Sequence, residues 1–145
     1  MVMILDHIGI VVPCLEQGID QWEMLFGYQR TSDIVSNARQ KVRVVFLSKR
    51  KSLKVKLVEP SAQDSPVYRV ARRGGGLHHL CFRCPAVQTE IPLLERQGAR
   101  LLVAPEPGEA FRGHPIAFML AGNNINFELI DTSEKEGWCT DDSVT

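Results

Sequence analysis

The segment Leu5-Asp6-His7-Ile8 returns 72 residues later as Leu77-His78-His79-Leu80. The same offset also matches four further pairs, Pro13 with Pro85, Ile19 with Ile91, Phe46 with Phe118, and Leu57 with Leu129. One ionisable pair departs from the repeat, since the same offset matches Lys56 with Glu128, a residue of opposite charge. A doubled module with a histidine at the same place in each copy predicts two similar halves that face each other across a shared polar site.

Each copy has the pattern of a strand, a helix and two or three further strands. In the first copy, residues 4–12 form a β-rich run, and the helical spacing of apolar side chains over residues 15–26 predicts a helix that stops at Gly27. Residues 42–47 and 53–58 are predicted strands, separated by a basic turn.

The second copy repeats this order. Residues 77–84 are its first predicted strand, and residues 116–120 and 125–130 are its returning strands. Because a proline disrupts a helix interior, Pro92 predicts that the helix of this copy starts late, near Thr89.

The chain is expected to form one domain over residues 1–131, since 145 residues normally build a single core. Module one spans about residues 1–62 and module two about residues 76–131. A connector of about residues 65–75 joins them, as a short helix that starts at Ser-Pro and ends in three glycines. Residues 132–145 are polar and acidic and are predicted to form a loose tail.

Composition narrows the possible functions. Lys+Arg and Asp+Glu each number 17, so the zero formal net charge argues against a general nucleic-acid-binding protein. No apolar run approaches the roughly 20 residues that span a bilayer, and the N-terminus lacks the basic leader of a signal peptide.

The four cysteines are therefore expected to be reduced, in a cytoplasmic protein. Cys81 and Cys84 form a CxxC within a predicted strand, where residues three apart point to opposite faces, and no second close pair completes a zinc set.

Strand alternation predicts a polar, concave face opposite the helices. The side chains assigned to it are His7, His79, Glu128, Lys54, Lys56, Arg43 and Arg83. Arg43 belongs to this face only if Val42, Val44 and Phe46 face the helices. Excess positive charge on a concave surface favours an anionic ligand such as a carboxylate, a phosphate ester or an enolate. The alternative is a set of hydrogen-bonded structural histidines, with lysines and arginines that extend to solvent.

Five segments carry a resemblance to a known family. They are Asp6-His7-Ile8-Gly9-Ile10-Val11-Val12-Pro13, Val55-Lys56-Leu57-Val58-Glu59-Pro60, Asp64-Ser65-Pro66, Gly76-Leu77-His78-His79-Leu80 and Phe127-Glu128-Leu129. In their order and spacing the chain resembles the vicinal oxygen chelate superfamily, which includes glyoxalase I, extradiol dioxygenases, fosfomycin and bleomycin resistance proteins, and methylmalonyl-CoA epimerase. It is most similar to the epimerase branch.

The resemblance implies an α+β fold of two βαβββ modules. Their strands would form a curved, partly open, eight-stranded, barrel-like sheet with helices on the outside. It also implies a homodimer, and a divalent metal ion (Zn, Ni, Co, Mn or Fe) held by His7, His79 and Glu128. The family's fourth ligand falls on Lys56, whose ammonium group has no lone pair to donate. A proton-transfer glutamate of the epimerases falls on Arg39, which cannot act as a base at neutral pH.

Two arrangements of the site stay open. Two histidines and one carboxylate are enough to hold a divalent ion. Alternatively, the metal is lost because the Lys56 ammonium takes its place, pairs with Glu128 and itself stabilises an enolate. Glu128 and Lys56 are the candidate catalytic residues in both cases. The candidate substrate-binding residues are Arg43, Lys54, Arg83 and Arg39.

Three classes of function remain. The first is an isomerase or lyase of the glyoxalase or methylmalonyl-CoA epimerase type, acting in a cleft between the modules on a small anionic substrate, with acyl thioesters among the candidates. The second is a non-catalytic small-molecule binding or resistance protein. The third is an Fe(II)-dependent dioxygenase, which a three-ligand site permits. No nucleic acid or membrane partner is expected.

Overall fold

The computed structural model describes residues 3–138. Its strands are β1 (Ile4–Val11), β2 (Gln29–Arg30), β3 (Val35–Asn37), β4 (Val42–Ser48), β5 (Lys54–Pro60), β6 (Gly76–Arg83), β7 (Arg100–Pro107), β8 (Pro115–Ala121) and β9 (Ile125–Ile130). Its α-helices are α1 (Leu15–Phe26), α2 (Tyr68–Arg72) and α3 (Val87–Arg96). Within residues 3–138, none of these helices combines the length and the apolar character needed to cross a bilayer.

The strands form one curved sheet whose order is symmetric about its middle. The order is β2-β4-β5-β1-β6-β9-β8-β7, with β3 also paired to β4. β1 and β6 are antiparallel neighbours, and each runs parallel to the last strand of its own module, β5 or β9. The modules therefore meet at the β1–β6 pair, and the predicted α+β fold of two modules is confirmed. Nine strands replace the expected eight, because the second strand of module one is divided into β2 and β3.

Helices α1 and α3 cover the convex face, as strand alternation predicts, whereas Ala71 of α2 packs into the interior cluster. Leu15 and Ile19 of α1 pack against a cluster that includes Leu57 of β5. Val87 and Ile91 of α3 pack in the corresponding way against β8 and β9. α1 ends where predicted, at a glycine with φ 72° that closes the helix in the left-handed conformation.

The late start predicted for α3 is wrong. α3 begins at Val87, and Pro92 lies inside it. The N–H of Glu90 already donates a helical hydrogen bond to the carbonyl of Ala86, at 3.0 Å. Val87 and Ile91 are both buried, so the packing of the first two turns outweighs the hydrogen bond that Pro92 cannot make.

The segment after β9 is also ordered differently from the prediction. Residues 132–138 fold back over one end of the concave face, where Lys135 is buried and Trp138 forms a β-bridge with Ser32. The prediction of a loose tail is therefore wrong for these residues. Residues 139–145 lie outside the described part of the chain.

Candidate active site

The two strands that join the modules each contain one unpaired residue. The register of β1 against β6 skips Asp6 in β1 and His78 in β6. A β-bulge of this kind bends the strand and re-aims the side chain of the extra residue. Asp6 and His78 are related by the 72-residue offset, and each directly precedes one of the predicted site histidines, His7 or His79.

Four buried side chains meet beneath this junction. His7, Lys56, His79 and Glu128 have exposed fractions of 0, 5, 4 and 1%. The Nζ of Lys56 lies 2.9 Å from Oε1 and 3.2 Å from Oε2 of Glu128. The Nε2 atoms of His7 and His79 lie 3.3 and 3.7 Å from Oε1 of Glu128. The structure thus brings together both imidazoles, the carboxylate and the ammonium group of the predicted site.

The charges of this cluster are set by burial and by Lys56. Burial alone would raise the pKa of Glu128, but the positive charge of Lys56 and the neighbouring His7 ring outweigh it and hold this pKa well below its usual value. Burial, reinforced by the charge of Lys56, lowers the pKa of His79 well below its usual value. A negative carboxylate therefore faces an uncharged His79 ring at neutral pH.

His7 is oriented by a buried ion pair on its other side. Its Nδ1 donates to Oδ1 of Asp6 at 2.7 Å, and the Nζ of Lys135 lies 3.1 and 3.2 Å from the two oxygens of Asp6. Burial would raise the pKa of Asp6, but its hydrogen bond to His7 and the charge of Lys135 lower it to about 2. Because a carboxylate only accepts, Nδ1 carries the hydrogen of this bond. The bond fixes the ring so that its Nε2 faces Glu128.

His79 is positioned by His78 and by Gly9. The Nδ1 atoms of the two histidines are 2.9 Å apart, the distance of a hydrogen bond. Gly9 pairs with His79 across the sheet, and a Cβ added at Gly9 would come within 2.1 to 2.4 Å of three ring atoms of His79. Position 9 must therefore be glycine for the imidazole of His79 to lie against the backbone of β1.

A cavity of about 280 Å³ opens above Glu128 and Lys56. Aliphatic and aromatic side chains from both modules form most of its wall, including Val44, Val58 and Phe111. Its polar groups include Lys56, Glu128, His78, His79, Gln40 and Asn126. Lys56 is the only lysine or arginine among the described residues that line this cavity. The strongly basic wall expected from the sequence is therefore absent here.

Arg43 lies on the opposite face of β4 from the one predicted. Its Nε donates to Oε1 of Glu59 at 2.8 Å, and its Nη2 donates to Oε1 of Glu16 in α1 at 3.0 Å. Phe46, three residues further along β4, pairs with Lys56. Val44 and Phe46 therefore face the interior, and alternation turns Arg43 toward the helix. The expectation failed because β4 is apolar on both faces.

The other predicted substrate-binding residues also lie outside this cavity. Arg39 is exposed and pairs with Glu109 at 3.0 Å, while its neighbour Gln40 lines the cavity. Lys54 and Arg83 line a second cavity of about 390 Å³, which the segment 132–138 borders. Lys54 does share the interior side of β5 with Lys56, as predicted, but it lies at the other end of the barrel.

The structure places three further residues at the site that the sequence analysis did not identify. His78 lines the cavity, whereas strand alternation alone would put it on the face opposite His79. Asp6 and Lys135 fix His7 from behind. The only sequence signal for Asp6 and His78 was the repeat itself, which places Asp6 over His78. The repeat gave no signal for Lys135.

The positions and pKa values of Cys81 and Cys84 argue against a redox or metal-binding role for the CxxC pair. Cys81 belongs to the interior cluster and Cys84 to the cluster under α3, so the two thiols point to opposite faces, as predicted. Burial raises the pKa of Cys81 well above its usual value and that of Cys84 to about 11. Both thiols are therefore poor nucleophiles and poor metal ligands at neutral pH.

The side chains of His7, His79 and Glu128 provide the kinds of atom that bind a metal ion, but the positive charge of Lys56 lies among them. One donor atom each from His7, His79 and Glu128 lie within 4.8 Å of one another, and both histidine Nε2 atoms are buried without a hydrogen-bond partner. This set suits a divalent ion. However, the Lys56 ammonium contacts both oxygens of the carboxylate in the set. As arranged, the four side chains do not fit a divalent ion.

Comparison with known proteins identifies relatives along most of the chain. The family model described as "Glyoxalase/Bleomycin resistance protein/Dioxygenase superfamily" matches residues 6–118. The Bacillus subtilis protein YqjC is 32% identical over 138 residues, which cover 92% of this chain and 93% of that protein. The mitochondrial methylmalonyl-CoA epimerase of Dictyostelium discoideum is 26% identical over 133 residues, which cover 90% of this chain and 78% of the epimerase.

A solved structure shows the same fold. It is a methylmalonyl-CoA epimerase in complex with methylmalonyl-CoA and NH4+. It superimposes with a TM-score of 0.79 at 25% identity, and the match covers 94% of this chain and 99% of the epimerase.

Proposed function

Because the chain belongs to the glyoxalase/bleomycin resistance protein/dioxygenase superfamily, we propose that it is an isomerase-type enzyme acting on an acyl thioester. The proposed reaction removes and returns a proton at the carbon next to the thioester carbonyl. The observation that supports it best is the buried Lys56–Glu128 pair at the base of a mainly apolar cavity, beside His79.

The cavity has the groups that this reaction requires. The negative charge that develops on the carbonyl oxygen needs a positive group in a water-poor environment, and Lys56 supplies one. The proton needs an unprotonated acceptor. Burial lowers the pKa of both His78 and His79, so their rings are neutral and can accept it. Returning the proton to either side of the planar enolate regenerates the substrate or yields its epimer.

The relatives support a thioester substrate. Methylmalonyl-CoA epimerases are among the related sequences and structures, and one was solved with methylmalonyl-CoA. That structure also contains NH4+, and Lys56 gives this chain an ammonium group of its own. The apolar wall and the absence of Arg43 and Arg39 from it favour a short acyl group over one with several charges.

Exchange of the α-hydrogen in D2O tests the proposal. We expect the protein to exchange the α-hydrogen of methylmalonyl-CoA or propionyl-CoA, measured by mass spectrometry. Lys56→Met should slow this exchange by about 100-fold or more, since a preorganised charge next to the oxyanion is lost. Lys51→Met, a change of an exposed lysine, is the control and should exchange at the normal rate.

The outcomes separate an isomerase-type enzyme from a non-catalytic binding protein. Saturable binding of acyl-CoA without exchange would make the protein a non-catalytic binder of the same ligands. If calorimetry shows no binding of any acyl-CoA and mass spectrometry shows no exchange, the thioester proposal is wrong. Lys56→Arg keeps the positive charge and should retain part of the exchange activity. This control distinguishes a loss of catalysis in Lys56→Met from a loss of folding.

A further inference from the structure

The pair formed by Lys56 and Glu128 is a contact between equivalent positions of the two modules. The residues are 72 apart, which is the repeat offset, and their charged groups meet at 2.9 Å. Lys56 comes from β5 and Glu128 from β9, the last strands of the two modules. Both side chains are almost completely buried. The position at which the repeat pairs opposite charges is therefore a buried contact between the two modules.

We infer that the side chain of Lys56 has replaced the divalent ion in this chain. The Lys56 ammonium contacts both oxygens of Glu128 and so occupies the carboxylate oxygen that an ion held by His7, His79 and Glu128 would need. Phe111 closes the other side, with its ring centroid 5.4 Å from the Lys56 nitrogen.

Charge balance supports the replacement. Lys56 and Glu128 have opposite formal charges and contact each other, so this buried pair needs no ion to balance its charge. A divalent ion would add two positive charges within a few ångströms of an ammonium group that has little access to water, and the repulsion is strong in such surroundings. With a carboxylate at position 56, the two acids would instead balance a divalent ion.

Metal titration of chelator-treated protein tests this inference without reference to any substrate. Wild-type protein should bind neither Co2+ nor Zn2+ at this site in calorimetry, and EDTA should leave its melting temperature unchanged. Lys56→Glu should gain affinity for Co2+ by about 100-fold or more, because a ligand replaces a repelling charge. Its melting temperature should rise on adding the metal, and Co2+ should give the visible absorption of a nitrogen- and oxygen-ligated ion.

Lys54→Glu is the matched control. It makes the same charge change two residues earlier on the interior side of β5, but at the second cavity. It should not gain the Co2+ spectrum. If Lys56→Glu does not fold, elemental analysis of the wild-type protein as isolated decides the question. One tightly held divalent ion per chain, or a wild-type protein that EDTA destabilises, would overturn the inference. Either result leaves the thioester proposal standing, because that proposal is tested by exchange.

The second cavity carries an independent inference, because it is the repeat counterpart of the first. Asp6, Lys54 and Arg112 line the second cavity. Their partners at the 72-residue offset, His78, Asn126 and Gln40, line the first. The duplication thus builds one cavity at each end of the barrel, on either side of the buried cluster, and two neutral residues of the first are replaced by cations in the second.

We propose that the second cavity binds a small phosphate-like anion. Its acidic residues are already engaged, Asp6 by Lys135 and His7, and Glu134 by His114 at 3.3 Å. Arg83 approaches Asp6 only to 3.8 Å. Lys54 and Arg112 have no carboxylate within ion-pair distance among residues 3–138. Positive charge without a partner in a concave site favours an anion.

Calorimetric titration with inorganic phosphate and pyrophosphate tests this second site. Binding is expected to weaken by about 10-fold in Arg112→Gln and in Lys54→Asn, which install the residues of the repeat counterpart. Arg39→Gln, near the first cavity, is the control and should not change the affinity. The chain itself offers a competing anion in Asp141 and Asp142. Phosphate binding seen only after both are changed to asparagine would overturn the proposal in favour of an internal occupant, and no binding in any variant would also overturn it.

Discussion

His78 shows how one extra residue in a strand changes which side chains meet. Without the bulge, His78 and His79 would point to opposite faces of β6. With it, both line one cavity, and their Nδ1 atoms are 2.9 Å apart. The equivalent bulge at Asp6 gives His7 a carboxylate partner instead. The two modules thus use the same backbone device to support one histidine with an acid and the other with an imidazole.

Gly9→Ala tests the close approach of this ring to the backbone. We expect it to lower the free energy of unfolding by about 2 kcal/mol, because His79 must leave its position or the strands must separate. It should also lower the rate of thioester exchange. Urea denaturation measures the first effect.

Gly122→Ala is the control, because nothing lies within 4 Å of a Cβ added there. It should change the stability by no more than about 0.5 kcal/mol. Equal effects of the two substitutions would show that His79 does not depend on the bare backbone at Gly9.

Much of the site could be predicted at the level of single residues, and the failures have physical causes. The repeat and strand alternation identified His7, Lys56, His79 and Glu128 as neighbours. Alternation misplaced Arg43 because β4 is buried on both faces, so its pattern does not distinguish them.

His78 was missed for a different reason. A bulge is a property of the pairing of two strands, and the sequence of one strand does not reveal it. Asp6 carries the equivalent bulge in β1, and only the repeat offset connects the two positions.

At the scale of elements, the segment 132–138 acts as a strut behind β1. Lys135 is 129 residues away from Asp6 along the chain, yet its ammonium group is buried against that carboxylate. The polar composition of the segment predicted a tail, because an ion pair of such long range leaves no periodic pattern in the sequence. The strut holds Asp6 and, through it, the orientation of His7.

Lys135→Met should weaken both the fold and the site. Removing one partner leaves Asp6 buried without its cation, and we expect a loss of about 3 kcal/mol in the free energy of unfolding. His7 should also lose its fixed orientation, which nitrogen-15 NMR of the imidazole would detect as a change in the tautomer signals. Lys51→Met, at an exposed lysine, should stay within about 0.5 kcal/mol of wild type. A stable Lys135→Met protein with unchanged imidazole signals would contradict the role of the strut.

At the scale of the whole molecule, the pH dependence of stability reports on the buried thiol of Cys84. Burial, together with the nearby acids Glu90 and Asp131, raises the pKa of this thiol from 9.0 to about 11 in the folded protein. Between these values the unfolded chain has lost the thiol proton and the folded chain has kept it. The free energy of unfolding therefore falls as the pH rises from about 9 to about 11.

Cys84→Ala should reduce this alkaline loss, as measured by urea denaturation across the same pH range. It should not abolish the loss, because the pKa of the buried Cys81 thiol is also raised. Cys14→Ala, which removes a partly exposed thiol, should follow the wild-type curve. If Cys84→Ala and wild type lose stability in parallel, Cys84 does not titrate as the fold requires.

The homodimer implied by the family resemblance stays a prediction. Light scattering should give twice the chain mass of 16.3 kDa. A mass of one chain at micromolar concentration would contradict it.

The meeting of Lys56 with Glu128 also constrains the history of the fold. If two separate copies of one module had once assembled about a twofold axis, equivalent positions would have carried the same residue, and lysine would have faced lysine or glutamate faced glutamate. Two like charges at 2.9 Å in a buried place repel each other, unless an ion lies between them. Oppositely charged partners at this axis therefore became possible only after the two halves were joined in one polypeptide and could mutate independently.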